Sequence, residues 1–133
     1  MPDREQEIIN GLRRTYDAFN RGDFDTAIEG AHPEIEFFPP GDQAPLRGAV
    51  ALRAWMEPDA FESQQLQARE FRAQGNNVLV RQHARARGAG SGIEVELETW
   101  VLWTFDDDGL VTRLEGFLPH QDAEALEAAG LSE

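Results

Sequence analysis

Two runs of alternating charge are the residues of this sequence whose types and spacing could carry chemistry. They are Arg81, His83, Arg85 and Arg87, then Glu94, Glu96 and Glu98 after the glycine-rich segment "GAGSG". A basic stripe could contact a nucleic acid, and a histidine near carboxylates could bind a metal or transfer a proton. The same pattern also fits two facing strands of a hairpin.

A hairpin accounts for both runs at once. With the turn at "GAGSG", the antiparallel pairs are Arg87 with Glu94, Arg85 with Glu96, His83 with Glu98, and Arg81 with Trp100. A slip of one residue would turn every charge to the wrong side, so the pattern specifies the register. Each exposed pair contributes only about 0.2 to 1 kcal/mol. We therefore interpret this charge ladder as structural first, with His83 paired to Glu98 rather than bound to a metal.

Composition excludes several classes of function. The chain has 133 residues, enough for one domain spanning 1–133, and a formal charge of −13, which disfavours nucleic acid as a partner. It has no cysteine, and all 12 basic residues are arginine. Lysine Schiff-base and P-loop chemistry are thereby excluded. No nucleotide motif, metal spacing or nucleophile triad is present, so we expect no cofactor and no metal.

The N-terminal segment and the lengths of the apolar runs bear on cellular location. The N-terminal segment "MPDREQEIING" is charged from its third residue and does not resemble a signal peptide. No apolar run approaches the roughly 18 residues of a membrane helix. We expect a cytoplasmic protein that does not bind membranes, and the use of arginine alone is typical of a GC-rich bacterial genome.

Hydrophobic periodicity predicts helices first and strands second. Helical spacing runs from a cap at Asp3 to about Asn20, and from about residue 62 the period changes to two. The other predicted helices cover 23–31, 49–58 and 121–130, and the predicted strands cover 34–38, 62–74, 77–87, 93–105 and 109–118. This order predicts an α+β fold with the helices on one face of a curved antiparallel sheet.

The two faces of the central hairpin differ. One face carries mostly apolar side chains together with Gln82 and Thr99, and we assign it to the core. The ladder face also carries Trp100 and Leu102, more apolar surface than a solvated sheet face usually shows, so we expect a second subunit to cover it. The predicted homodimer face is Arg81, His83, Arg85, Glu96, Glu98, Trp100 and Leu102.

The order of these segments resembles a known family. A long helix ends in "AFNRGDFDTAI", a third helix follows "LRG", "RARGAGSGIEVE" forms the central hairpin, and "DAEALEAAGL" lies near the end. Over essentially the whole chain this is similar to the nuclear-transport-factor-2-like superfamily and its SnoaL-like group. The resemblance implies a cone-shaped α+β barrel whose curved sheet wraps the N-terminal helices around a pocket. It implies functions from ketosteroid isomerisation, polyketide cyclisation and epoxide hydrolysis to plain ligand binding.

The acid and base residues that the resemblance implies are not found. Alignment on "NRGD" and "FDDDGLV" places the ketosteroid isomerase residues at Thr15, Phe38 and Val101. The cyclase carboxylate and histidine positions fall on Gly116 and Leu114.

Two neighbours of these positions remain weak catalytic candidates. Tyr16, the only tyrosine, is one residue from the isomerase tyrosine position. Glu115 lies between the two cyclase positions, although strand alternation sends it to the opposite face.

The resemblance and the strand alternation together indicate a mostly apolar pocket. Its predicted residues are Tyr16, Phe19, Phe38, Trp55, Gln82, Thr99, Trp103 and Leu114. In one hypothesis the pocket binds a small apolar molecule, oriented by Tyr16, Gln82 and Thr99. In another the protein is an isomerase, cyclase or dehydratase that uses a pocket carboxylate, Glu115, Glu36 or Glu98. A third hypothesis is an interaction module that uses the ladder face.

Overall fold

The computed structural model describes residues 4–40, 44–56 and 61–131, so the predicted cap Asp3 lies outside the described residues. The helices and strands follow the predicted order closely. In chain order they are α1 (Arg4–Asn20), α2 (Phe24–Ile28), β1 (Ala31–Phe38), β2 (Leu46–Arg47), α3 (Ala49–Met56), β3 (Phe61–Gln74), β4 (Asn77–Gly88), β5 (Glu94–Phe105), β6 (Val111–Phe117) and α4 (Asp122–Ala128). None of the helices among the described residues has the length and apolar character needed to cross a membrane.

The first helix forms because its apolar residues recur at helical spacing. Leu12, Tyr16 and Phe19 are buried on one face of α1. Gly22 ends this segment with a φ of 78°, a backbone conformation that glycine adopts without steric cost. The helix therefore presents a tyrosine and a phenylalanine to the sheet.

The sheet is six-stranded, curved and unclosed, and β3 to β6 form the predicted antiparallel meander. The first strand adds to it by pairing in parallel with β6. The prediction was wrong at the start of β1, because His32 and Pro33 lie within this strand instead of ending α2. It also missed β2, a two-residue strand that pairs with Glu36 and Phe37 in β1.

The register of the central hairpin is the predicted one. Arg87 lies opposite Glu94, Arg85 opposite Glu96, His83 opposite Glu98, and Arg81 opposite Trp100.

Arg85 and Arg87 contact the glutamates directly opposite them, whereas Arg81 and His83 lean along the strands to diagonal neighbours. Arg81 donates a hydrogen bond to Glu98 at 2.8 Å. His83 Nε2 lies 2.9 Å from Glu96 Oε1, whereas His83 Nδ1 is 3.7 Å from Glu98 Oε1. The hydrogen bond from His83 and the charge of Arg85 lower the pKa of Glu96. Polar contacts thus connect Arg81, Glu98, His83, Glu96 and Arg85 on one face, and Arg87 forms a separate pair with Glu94.

The position of α4 differs from the prediction that all helices lie on one face of the sheet. Alternation places Leu79, Trp100 and Leu102 on the ladder side of the sheet, opposite the core that α1 and α3 cover. There they pack under α4, whose Ala125 and Leu126 are buried against them. The helices therefore cover both faces of the sheet, and not one face as predicted.

The same contact changes the argument for a second subunit. Trp100 and Leu102 are only 8% and 5% exposed, and the Trp100 indole donates a hydrogen bond to Asp122 at the start of α4. The chain therefore buries these two residues by itself. Their exposure, which motivated the predicted homodimer, is not a property of the folded protein.

Candidate functional site

A cavity of about 370 Å³ lies between the inner faces of β4 and β5 and the helices α1 and α3. Seven of the eight predicted pocket residues line it. They lie on α1, α3, β4, β5 and β6. These are Tyr16, Phe19, Trp55, Gln82, Thr99, Trp103 and Leu114. The structure thus brings together residues that are up to about a hundred positions apart in the sequence.

Phe38 is the exception, because the predicted residue is one position too far along β1. Neighbouring side chains of a strand point to opposite faces. Its ring packs under the guanidinium of Arg113, 4.6 Å from the ring centroid, away from the cavity. Phe37 takes the predicted place and meets Trp55 edge to face, with ring centroids 4.8 Å apart. Strand alternation alone places Ile35 and Phe37 on the same face of β1. In the structure both side chains are buried there.

The depth of the cavity holds a hydrogen-bonded pair. Tyr16 Oη donates to Gln82 Oε1 at 2.6 Å, and the Tyr16 ring lies 5.8 Å from the Trp103 ring, centroid to centroid. Burial raises the pKa of the Tyr16 phenol well above its ordinary value, and a hydrogen bond with the Trp103 side chain opposes part of that rise. Tyr16 is therefore a neutral hydrogen-bond donor at physiological pH, and its phenolate is not available as a base.

The carboxylates suspected of catalysis all lie outside the cavity. Glu115, a predicted catalytic candidate, faces away from it, and its carboxylate lies 3.3 Å from Arg113 Nη2. Glu98 is held by Arg81 in the charge ladder, and Glu36 is exposed opposite Arg47. Of the described residues that line the cavity, only Tyr16 has an ionisable side chain. The described part of the wall therefore carries no carboxylate or histidine that could act as a general base.

A close backbone contact shows why the implied cyclase position carries no side chain. Gly116 lines the cavity beside Pro40, and a Cβ added at Gly116 would lie 2.6 Å from Pro40 Cδ and 3.1 Å from its nitrogen. Real carbon atoms do not approach so closely without displacing a neighbour. Leu114, the other implied position, is apolar and buried. The carboxylate is thus absent, and the space it would need is filled by Pro40.

A larger recess of about 720 Å³ lies at the other end of α1, beside the turn 106–109. Its charged lining residues are solvent-exposed and of both signs: Arg4, Glu7, Arg14, Glu29, Asp107 and Asp108. Solvated charges of mixed sign do not select one ligand. Within the part of the chain that the structure describes, no three histidine or carboxylate side chains are grouped to hold a metal. The 370 Å³ cavity is therefore the candidate site.

Comparison with known sequences gives one family. The model of a SnoaL-like domain matches residues 12–114, which include β3, β4, β5 and the first part of β6. No curated protein matches the sequence.

Solved structures share the fold at low sequence identity. TerC, co-crystallized with polyporic acid, is 24% identical with a TM-score of 0.73, covering 92% of this chain and 96% of TerC. SalBIII, described as an epoxide hydrolase/cyclase-like enzyme, is 18% identical with a TM-score of 0.79, covering 90% and 95% of the two chains. Rv0760c from Mycobacterium tuberculosis, in complex with estradiol-17β-hemisuccinate, is 12% identical with a TM-score of 0.71, covering 82% and 91%. At these identities the similarity shows a common fold.

The burial of Tyr16 predicts a titration that can be read directly, because it is the only tyrosine. The folded protein should show no phenolate absorbance up to about pH 11, well above the ordinary tyrosine pKa. The unfolded chain loses this proton from about pH 10. The free energy of unfolding should therefore fall as the pH rises above that value. Tyr16→Phe is the control, with no phenolate signal at any pH, and reversible ionisation near pH 10 in the folded protein would contradict the burial.

The contact between Gly116 and Pro40 predicts a steric cost. Gly116→Ala should lower the free energy of unfolding by about 1 to 3 kcal/mol, measured by urea denaturation, because the new methyl group overpacks the site. Pro40→Ala should relieve most of that cost in the double variant. Gly30→Ala is the matched control, since a Cβ there meets nothing within 4 Å. Equal effects of Gly116→Ala and Gly30→Ala would show that the contact is absent.

Proposed function

The chain belongs to the SnoaL-like family, and we propose that it binds one small, uncharged and mostly apolar molecule in the cavity between its sheet and its helices. The observation that carries this proposal is the composition of the cavity wall. It is formed mainly by aliphatic and aromatic side chains, and among the described residues only Tyr16 is ionisable. The cavity volume of about 370 Å³ is within the range of small-molecule sites.

The wall selects against charge. A carboxylate or an ammonium group moved into this cavity would lose its hydration and find no opposite charge among the described lining residues. A neutral ligand avoids that cost and gains from the removal of its apolar surface from water. Tyr16, Gln82 and Thr99 supply the few polar contacts that fix its orientation, and Thr99 is only 6% exposed.

The alternative is an isomerase, cyclase or dehydratase that uses a pocket carboxylate. That hypothesis needs Glu115, Glu36 or Glu98 to reach the cavity, and each of them lies on another surface. Tyr16 could polarise a ligand oxygen, but a proton donor without a base does not complete acid–base catalysis. The geometry therefore favours binding without turnover.

A bacterial, cytoplasmic homodimer remains our prediction for the assembled protein. With Trp100 and Leu102 buried under α4, the surface left for a second copy is the charged part of the predicted face. It consists of Arg81, His83, Arg85, Glu96 and Glu98, already paired within the chain. Electrostatic matching would then set the docking geometry.

Sedimentation velocity tests the homodimer. We expect the wild-type protein to sediment as a dimer and Glu96→Arg to shift it toward monomer, because the reversed charge opposes its counterpart across the interface. Asp25→Arg, which changes the charge equally on exposed α2, is the control. A wild-type monomer at every concentration would exclude the dimer.

Isothermal titration calorimetry tests the binding proposal with two probes of similar size. We expect 2-acetylnaphthalene, which is neutral, to bind at least about tenfold more tightly than 2-naphthoate, because no described residue of the wall offers the carboxylate a cation. Val101→Phe, which adds a ring inside the cavity, should abolish binding of the ketone. Val50→Phe is the control, because Val50 is 87% exposed. Equal binding of the two probes, or unchanged binding by Val101→Phe, would contradict the proposal.

A further inference from the structure

One side of the sheet ends on a long strand. In the part of the chain that the structure describes, the strand order runs from β2 to β3, so β3 pairs with β4 on one side and with no strand on the other. β3 has 14 residues, whereas β2 at the opposite edge has two. An edge strand presents unpaired N–H and C=O groups to which a strand of another chain can add. The β3 edge is therefore the long edge at which a second chain could extend this sheet.

The sequence of β3 gives this edge little protection of its own. Edge strands are commonly protected by charged side chains, by proline or by a bulge. The run from Ser63 to Ala68 contains no charged residue and no proline. A bulge begins only at the end of this run, between Ala68 and Glu70. Two copies of the run could therefore pair antiparallel without opposing like charges.

The side chain of Asn20 occupies the place that a neighbouring strand would take. Its Nδ2 donates a hydrogen bond to the Leu66 carbonyl oxygen at 2.7 Å, and its Oδ1 accepts one from the Leu66 N–H at 2.7 Å. A side-chain amide offers the same donor and acceptor as the backbone, so the two bonds reproduce one hydrogen-bonded pair of an antiparallel ladder. One helix residue thus satisfies the edge at Leu66.

The end of α1 that carries Asn20 is held against this edge by further contacts. Asn20 is the last residue of α1, and Phe19 beside it is buried. The Gln65 side-chain amide donates to the Asn20 carbonyl oxygen at 3.2 Å and to the Gln64 carbonyl oxygen at 2.9 Å. A strand from another molecule could not pair with Leu66 unless the Asn20 side chain left it.

We propose that Asn20 keeps the β3 edge from pairing with the β3 strand of a second copy of this chain. Removing its amide leaves the Leu66 N–H and C=O without a partner, and such groups pair readily with an added strand. A second copy fits because it presents the same long, uncharged run, and an antiparallel β3 pair is two-fold symmetric. This interface is separate from the charged face proposed for the homodimer and does not depend on what the cavity binds.

Sedimentation velocity of two Asn20 variants tests the proposal. We expect Asn20→Ala and the milder Asn20→Ser to form a species of at least about twice the mass of the wild-type species at the same concentration, because each freed edge joins another copy. Asn10→Ala is the matched control, since Asn10 lies on the same helix and its side chain accepts a hydrogen bond from Gln6 within that helix. Asn20 variants that sediment as the wild-type protein does would overturn the proposal.

Single cysteines locate the contact, because the chain has no cysteine of its own. Gln67 lies on β3 beside Leu66 and is exposed. With a short bis-maleimide, Gln67→Cys should give a cross-linked dimer in the Asn20→Ala background and lose it when Asn20 is present. Asp25→Cys on exposed α2 is the control and should not cross-link in either background. Equal cross-linking of Gln67→Cys in the two backgrounds would place the contact elsewhere and overturn the proposal.

A measurement on the wild-type protein does not depend on any variant folding. The Leu66 N–H should exchange with solvent at least about tenfold more slowly than an unbonded amide, the effect of one hydrogen bond. In isotope-labelled protein, a scalar coupling across that bond should connect the Leu66 nitrogen with the Asn20 Cγ nucleus. A fast-exchanging Leu66 amide without this coupling would show that Asn20 does not cover the edge, and that result would overturn the proposal.

Discussion

The register of the hairpin between β4 and β5 is the constraint on which the rest of the structure depends. In a strand, successive side chains point to opposite faces, so one register assigns every residue to one side. The opposed charges of the ladder fix that register, although each exposed pair stabilises the fold only slightly. Once the charges are outside, Val80, Gln82 and Ala84 on β4 face the helices. The ladder therefore serves mainly to specify the register of the hairpin and adds little to the free energy of unfolding.

The chemistry of the cavity follows from the same assignment of side chains to the two faces of the sheet. Glu98 is held outside with Arg81, and alternation on β6 likewise carries Glu115 outward to Arg113. What remains inside is an apolar wall with neutral donors, and burial keeps the Tyr16 phenol protonated. Solved structures with this fold include a complex with a steroid ester and one with polyporic acid, and those ligands belong to those proteins. The present chain shares the fold, and the described residues that line its cavity include no carboxylate or histidine.

Sequence patterns predicted those features that depend on local periodicity. The hairpin register follows from alternation along two strands, and the structure confirms it. The same alternation predicts that Gln82, Thr99 and Trp103 point inward, and the three residues line the cavity. Phe38 was misassigned because it was placed by alignment with a family position. The burial of Ile35 already indicates that Phe37 shares its face.

Long-range contacts were not accessible in this way. The docking of α4 over Trp100 depends on how the chain turns after β6, which no periodicity encodes. The approach of Pro40 to Gly116 joins segments about 75 residues apart and appears in the sequence only as a glycine within a strand, a signal of close backbone contact. Such contacts arise from tertiary packing, so the sequence can suggest their existence but not their partners.

A crystal structure of the protein with 2-acetylnaphthalene would test most directly whether the interior of this fold is a binding site for an uncharged molecule. We expect one ligand per chain, enclosed between Tyr16, Val101 and Leu114. A cavity closed by collapsed side chains, with the ligand absent or bound only on the exposed rim, would show that the interior is not a binding site.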